Sequence, residues 1–176
     1  LFDQFPTFCF VNADITEDVP DYLAGQQPFD VVTIFDVFYH IVNDELFEKA
    51  VRHIGELTTD SGVVLVMDQL HPRRYQLSKH VVYRDRNEYV GLFGKSRLDL
   101  ADNELLFHYL VPPMSGYRPI DITAAALFKL TGLVVGVSDR LASRVATRLR
   151  RLDNKLRSSD VMVSNSEMLA FRKREV

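Results

Sequence analysis

Residues 29–41 join an apolar run to a polar end. The first half, Phe29 to Phe35, is rich in β-branched and aromatic side chains, which is typical of a strand buried on both faces of a parallel sheet. Asp36 and His40 stand where that strand should end. We therefore expect a buried strand with polar side chains at its carboxyl end.

A helix and a second strand should follow directly. Asn43 is a favourable N-cap, and apolar residues recur at helical spacing from Leu46 to Leu57. Residues 58–62 break the helical pattern, and the apolar run of residues 63–67 then ends in Asp68 and Gln69. This order predicts a strand–helix–strand crossover in a parallel sheet. Such sheets bind ligands beyond the carboxyl ends of their strands, so we expect functional residues at the carboxyl ends of both predicted strands.

Further elements lie on either side of this unit. Residues 7–14 indicate a short buried strand, and residues 20–23 a short helix. Asp85 should cap a helix that ends near residue 96, and residues 97–111 indicate one long or bulged strand. The last strand is predicted at residues 166–172. Residues 114–160 would then form a helical insertion, with an apolar stretch at 122–137 and a basic helix that Ser138 caps.

Composition narrows the function classes. The 176-residue chain is 47% hydrophobic and carries a net charge of −3, which fits one globular domain and gives no electrostatic case for nucleic acid. No run is long enough to span a bilayer. The single cysteine, Cys9, excludes an internal disulfide and favours a reducing, cytoplasmic compartment. The five scattered histidines show no spacing typical of metal ligands.

Three segments in order resemble the second half of a class I S-adenosylmethionine-dependent methyltransferase: FVNADI at 10–15, FDVVTIFDVFYHI at 29–41 and DSGVVLVMD at 60–68. The resemblance implies a Rossmann-like, mostly parallel sheet with an antiparallel edge strand, incomplete at the N-terminus. The helical insertion would lie before the last strand, in a single truncated domain covering residues 1–176. The family's glycine-rich loop would lie upstream of Leu1, so we expect a fragment with an incomplete cofactor site.

The same resemblance assigns candidate residues of the cofactor site. Asp14 would accept a hydrogen bond from the adenine amino group of S-adenosylmethionine, and Ile15 would pack on the ring. The end of the central strand, at Phe35, Asp36 and Val37, would line the cofactor pocket. Taken alone, Asp14 is also a common turn or cap residue.

His40 and His71 are the candidate catalytic residues. Each could position or deprotonate a small-molecule methyl acceptor, and Arg73 and Arg74 could meet an anionic group. A structural role for His40 at the pocket rim and a solvated loop at 71–74 are the alternatives. A solvated surface likewise explains the basic face of helix 139–157 more simply than a membrane or nucleic acid does.

Two other hypotheses for the function of the whole chain stay open. A non-catalytic Rossmann-like module could act through protein contacts made by residues 114–160. A nicotinamide-dependent oxidoreductase would also need a glycine-rich loop upstream, but it does not predict the residues at 36–40. The apolar stretch at 122–137 could serve as a lid or as the contact of a homodimer.

Overall fold

The computed structural model describes residues 11–17, 28–107, 118–157 and 166–174. Four of its strands form one sheet in the order β1, β2, β6, β5: β1 (Phe29–Phe35), β2 (Thr58–Gln69), β5 (Leu98–Phe107) and β6 (Ser166–Lys173). Strands β1 and β2 are parallel, and β6 is antiparallel to both β2 and β5. The predicted fold class is thereby confirmed. The reversed strand β6 and its neighbour β5 form the antiparallel pair at one edge.

Helix α1 (Asp44–Leu57) connects β1 to β2, as predicted. The Asn43 side chain accepts a hydrogen bond of 2.9 Å from the backbone N–H of Leu46, which caps the helix. Phe47, Val51 and Ile54 form the buried face of the helix. Strand β2 begins at Thr58, directly after the helix, so residues 58–62 end the helix by starting the strand earlier than predicted.

Two short strands and a helix follow β2. Strands β3 (Tyr75–Ser78) and β4 (Val81–Tyr83) form a small antiparallel hairpin that the sequence did not predict. Helix α2 (Arg86–Lys95) begins with a capping box, in which Asp85 and Glu88 each accept a hydrogen bond from the other's backbone N–H. The predicted cap at Asp85 is therefore confirmed.

The hydrophobic core lies between one face of the sheet and helices α1 and α2. Its aromatic centre is Phe38, whose ring meets those of Phe47 and Phe93 edge to face at centroid distances of 5.0 and 6.0 Å. Phe93 stacks in turn on Phe171 of β6. These contacts fix the segment between β1 and α1, because Phe38 lies in it and is fully buried.

Strand β1 differs from its prediction. Val32 and Ile34 pack against the core, but Phe29, Val31 and Phe35 on the other face are 40%, 58% and 46% exposed. Among the described residues, the core therefore covers one face of β1 only. The prediction of burial on both faces was wrong for this part of the chain, because an apolar run does not reveal which elements cover it.

Helices α3 (Arg118–Val135) and α4 (Asp139–Arg157) lie between β5 and β6 in the chain and pack against each other. The Ser138 hydroxyl accepts a hydrogen bond of 3.2 Å from the N–H of Leu141, as expected of a cap. None of the helices in the described ranges is long and apolar enough to cross a membrane. The buried strand predicted at residues 7–14 was wrong in its described part, because residues 11–14 are exposed and form no strand. Residues 7–10, the helix predicted at 20–23, Cys9 and the Pro112–Pro113 stop lie outside the described residues.

Candidate functional site

An open cleft of about 850 Å³ lies between the 12–17 segment and the chain that connects β1 to α1. That volume is within the range of small-molecule sites. Its described lining comprises residues 12–17 together with Val37, His40, Ile41, Val42 and Leu46. Val37 follows β1 by two residues, so the cleft lies near the carboxyl end of this strand. Ligands of open α/β sheets bind at such strand ends.

Asp14 contributes a carboxylate to this cleft. Its Oδ1 atom accepts hydrogen bonds from the backbone N–H and the hydroxyl of Thr16, at 2.8 and 2.7 Å. These bonds hold the pKa of Asp14 below its usual value. The second oxygen, Oδ2, accepts no hydrogen bond from the described residues. Asp14 is therefore both a turn residue and an ionised acceptor with one oxygen to spare.

The Asp14 turn is attached to helix α1 through a histidine that the sequence analysis missed. His53 is only 5% exposed, and its Nδ1 atom lies 2.9 Å from the carbonyl oxygen of Ile15. The Ile15 side chain packs against the core. This contact spans 38 residues, so no local pattern could reveal it.

The end of β1 turns sharply towards the cleft. Asp36 follows the strand with a positive φ of 55°, a backbone conformation that is uncommon outside glycine. Its N–H donates to the carbonyl of Met67 at 2.8 Å, which holds the turn against β2. The next residues, Phe38–His40, form one turn of 3₁₀-helix that places His40 at the cleft.

The predicted site residues separate into two groups. Asp14, Ile15, Val37 and His40 line the same cleft, whereas Phe35 and Asp36 precede it and are not part of its described lining. His71 lies elsewhere. Its backbone N–H donates to the carbonyl of Arg84 at 3.1 Å, and its ring lies 5.6 Å from that of Tyr75, so it belongs with the β3–β4 hairpin.

The loop arginine Arg74 is already paired. Its guanidinium contacts Asp44 at 2.8 Å and Glu88 at 3.1 Å. These two carboxylates neutralise the charge of Arg74, which we expected to be available to an anionic group. Arg74 therefore joins the starts of α1 and α2 and is not a free anion-binding residue.

Arg84 is the buried residue that holds the cleft wall in place. It is 1% exposed and donates to the carbonyl oxygens of Phe38 and Ile41, at 3.4 and 2.8 Å, and to Asp44 at 2.8 Å. Its guanidinium carbon lies 4.2 Å above the centre of the Phe47 ring. Arg84 thus binds the segment that carries His40 to the start of α1.

Asp68, the last residue but one of β2, is buried inside the protein. Its Oδ2 atom accepts a hydrogen bond of 2.6 Å from the Tyr89 hydroxyl, and its Oδ1 atom accepts one of 2.9 Å from the N–H of Gln69. Burial is the main cause that raises the pKa of Asp68 to about 6, and the nearby Asp36 adds to it. The polar end of β2 is therefore a buried carboxylate and does not line the cleft. Within the described ranges, no three metal-binding side chains come together.

No family model matches the sequence, and no curated protein matches it significantly. Solved structures do resemble it. The O-methyltransferase from a trans-AT PKS multienzyme of Brevibacillus brevis, in complex with S-adenosyl-L-homocysteine, is 12% identical with a TM-score of 0.52, over 93% of this chain and 48% of that chain.

Two further structures agree with this likeness. The 1,6-didemethyltoxoflavin-N1-methyltransferase of Burkholderia thailandensis, with S-adenosylhomocysteine bound, is 12% identical with a TM-score of 0.50, over 94% of this chain and 51% of that one. The CcbJ methyltransferase of Streptomyces caelestis is 11% identical with a TM-score of 0.51, over 94% and 63%. The chain thus spans about half the length of these proteins. Together with the sheet order described above, the likeness shows that the chain has the Rossmann-like fold of class I methyltransferases.

Proposed function

We propose that this chain forms part of an S-adenosylmethionine-dependent methyltransferase that acts on a small-molecule acceptor. The observation that carries the proposal is the cleft where Asp14, Ile15 and Val37 meet near the carboxyl end of β1. These are three of the five positions to which the family resemblance assigns cofactor contacts. The fold supports the proposal independently of these residues.

The chemistry of the cleft fits the adenosine end of the cofactor. Asp14 is ionised at neutral pH because its pKa is lowered, and its Oδ2 atom can accept a hydrogen bond from an amino group. Ile15 and Val37 offer apolar surface on which a flat ring can pack. When bound, S-adenosylmethionine supplies the methyl group. The residues of this chain would hold its adenine and exclude water from it.

His40 is the residue that we place on the acceptor side. It lines the cleft, and its Nδ1 atom lies 3.3 Å from the carbonyl oxygen of His80, which leaves Nε2 for a substrate. Methyl transfer mainly requires alignment of the two reactants, and a base only where the acceptor must lose a proton. His40 would orient or deprotonate such a group, whereas His71 is not part of the described cleft lining.

Binding of S-adenosylhomocysteine, measured by calorimetry, tests the proposal. We expect micromolar affinity in the protein extended upstream of Leu1, and weaker affinity in the 176-residue chain. Asp14→Asn is the sharpest variant, because its Oδ1 atom can still accept both Thr16 hydrogen bonds while an amide nitrogen replaces Oδ2. We expect it to weaken binding roughly 10- to 100-fold.

The matched control is Thr16→Val, which removes one hydrogen bond of the turn but keeps the carboxylate. It should bind the ligand nearly as well as the wild-type protein. Equal affinity of the Asp14→Asn and wild-type proteins would remove Asp14 from the site. No binding by either length of the wild-type chain would reject the methyltransferase proposal and favour the interaction module instead.

A further inference from the structure

Helix α3 exposes apolar side chains around much of its circumference, including Leu127 and Phe128, and the most exposed of them form one stripe. Ile122, Leu130 and Leu133 are 64%, 59% and 72% exposed, and Val137 in the following turn is 74% exposed. At 100° per residue the three helical positions, with Ala126 between them, fall within about 80° of one helix face. Contiguous exposed apolar surface of this kind marks an interaction site more often than a solvated face.

Helix α4 does not cover this stripe with its own apolar face. It packs against α3, and its apolar positions Val145 and Leu149 are half-buried. Its exposed arginines Arg140, Arg144, Arg148 and Arg151 recur every three or four residues and therefore share one face. The hairpin thus presents an apolar stripe on α3 and a basic stripe on α4.

Charge is strongly segregated along the chain. Residues 118–157 contain nine arginines and lysines and three aspartates, whereas the rest of the chain contains 12 basic and 21 acidic residues. The hairpin is therefore cationic and the remainder anionic. An anionic membrane would attract the hairpin but repel the remainder of the chain, whereas a second copy brings both a cationic hairpin and a net negative remainder.

We propose that the α3 stripe is the contact of a symmetric dimer of this chain. In it, Ile122, Leu130 and Leu133 of one copy pack on the same residues of the other, since a two-fold contact pairs one surface with itself. The apolar ridge at intervals of three and four residues suits helix-to-helix packing. The opposite net charges of the hairpin and of the remainder of the chain favour a second copy over an anionic partner.

Sedimentation equilibrium of the 176-residue chain between 1 and 100 µM tests the dimer. We expect dimers in this range, and at least a 100-fold weaker association in Leu133→Glu, because each dimer would bury two carboxylates in the apolar contact. Leu77→Glu is the matched control. Leu77 is 51% exposed but lies in β3, outside the hairpin, so this variant should dimerise like the wild-type chain.

Two further variants test the apolar contact and the role of charge separately. Leu133→Ser, with circular dichroism to confirm an unchanged helix content, should also weaken the dimer if the stripe is the contact. The double variant Arg144→Glu, Arg148→Glu should weaken it roughly ten-fold if charge selects the partner. A wild-type chain that stays monomeric at 100 µM overturns the proposal, as does a dimer that Leu133→Glu leaves intact. Binding of the monomer to phosphatidylserine vesicles would assign the stripe to a membrane and equally overturn it.

Discussion

Asp68 shows how one buried residue makes the stability of the fold depend on pH. Asp68 is 1% exposed, and its carboxyl group lies near Asp36, Tyr39 and Tyr89. The Tyr89 hydroxyl and the backbone N–H groups of Gln69 and Tyr39 compensate part of the cost of its charge. Burial still dominates, so the pKa is raised from the ordinary 3.8 to about 6.

The raised pKa predicts a loss of stability as the pH rises. Between pH 3.8 and about 6, Asp68 keeps its proton in the folded state but loses it in the unfolded chain. The contribution to the free energy of unfolding is therefore complete below pH 3.8, declines between pH 3.8 and about 6, and is absent above that. Two pKa units correspond to about 3 kcal/mol, which is the upper size of the effect.

Asp68→Asn should remove this dependence. An asparagine can keep the Gln69 hydrogen bond through its oxygen and donate to the Tyr89 oxygen through its nitrogen. We expect urea unfolding to give similar free energies for the variant and the wild-type chain at pH 4, and a more stable variant at pH 7. Glu45→Gln, on the exposed first turn of α1, serves as control. A difference between Asp68→Asn and wild type that stays constant with pH would contradict the assignment.

Arg84 joins elements that are distant in sequence. It lies just after β4, yet it holds the carbonyl oxygens that follow β1 and the first residue of α1. Removing the guanidinium would take its donor from the Ile41 carbonyl, whereas the Phe38 carbonyl would keep the N–H of Ile41 at 3.0 Å. Leaving a buried acceptor unpaired costs about 1–3 kcal/mol, and the loosened segment is the one that carries His40 into the cleft.

Arg84→Met should therefore lower the free energy of unfolding by about 2 kcal/mol or more and speed amide exchange in residues 38–44. Arg74→Met is the matched control, because Arg74 contacts the same Asp44 carboxylate from a side chain that is 43% exposed. An exposed pair contributes less than about 1 kcal/mol. Equal effects of the two variants on stability and exchange would show that Arg84 is an ordinary surface partner of Asp44.

Local sequence signals predicted the helices, whereas contacts between residues distant in sequence determine the structure of the candidate site. The caps Asn43 and Asp85 each accept a hydrogen bond from an N–H group three residues further along the chain. Because these contacts are local, sequence alone could find both helices. The β3–β4 hairpin was missed because its strands have only four and three residues, too few for a clear alternation. His53, Arg84 and the Asp68–Tyr89 pair were missed because their partners lie 21 to 46 residues away.

At the scale of the molecule, sequence predicted which strand ends approach each other but not which faces are covered. The parallel pairing of β1 and β2 brings Asp36 next to Met67, as the crossover implied. In the described sheet β1 is an end strand, paired with β2 alone. Its exposed Val31 and Phe35 therefore stand beside a row of backbone groups that no described strand pairs, which is the arrangement that promotes edge-to-edge aggregation.

A charge on this edge should suppress that aggregation. Val31 is 58% exposed, so Val31→Lys should change the free energy of unfolding by no more than about 0.5 kcal/mol. A lysine on each copy would repel a second β1 edge, and light scattering of the 176-residue chain at 37 °C should grow several-fold more slowly. Leu46→Lys adds the same charge to an apolar residue of helix α1 that is 43% exposed. Since a helix surface offers no strand to pair with, this control should scatter like the wild-type chain; equal slowing by both variants would attribute the effect to net charge and not to the edge of the sheet.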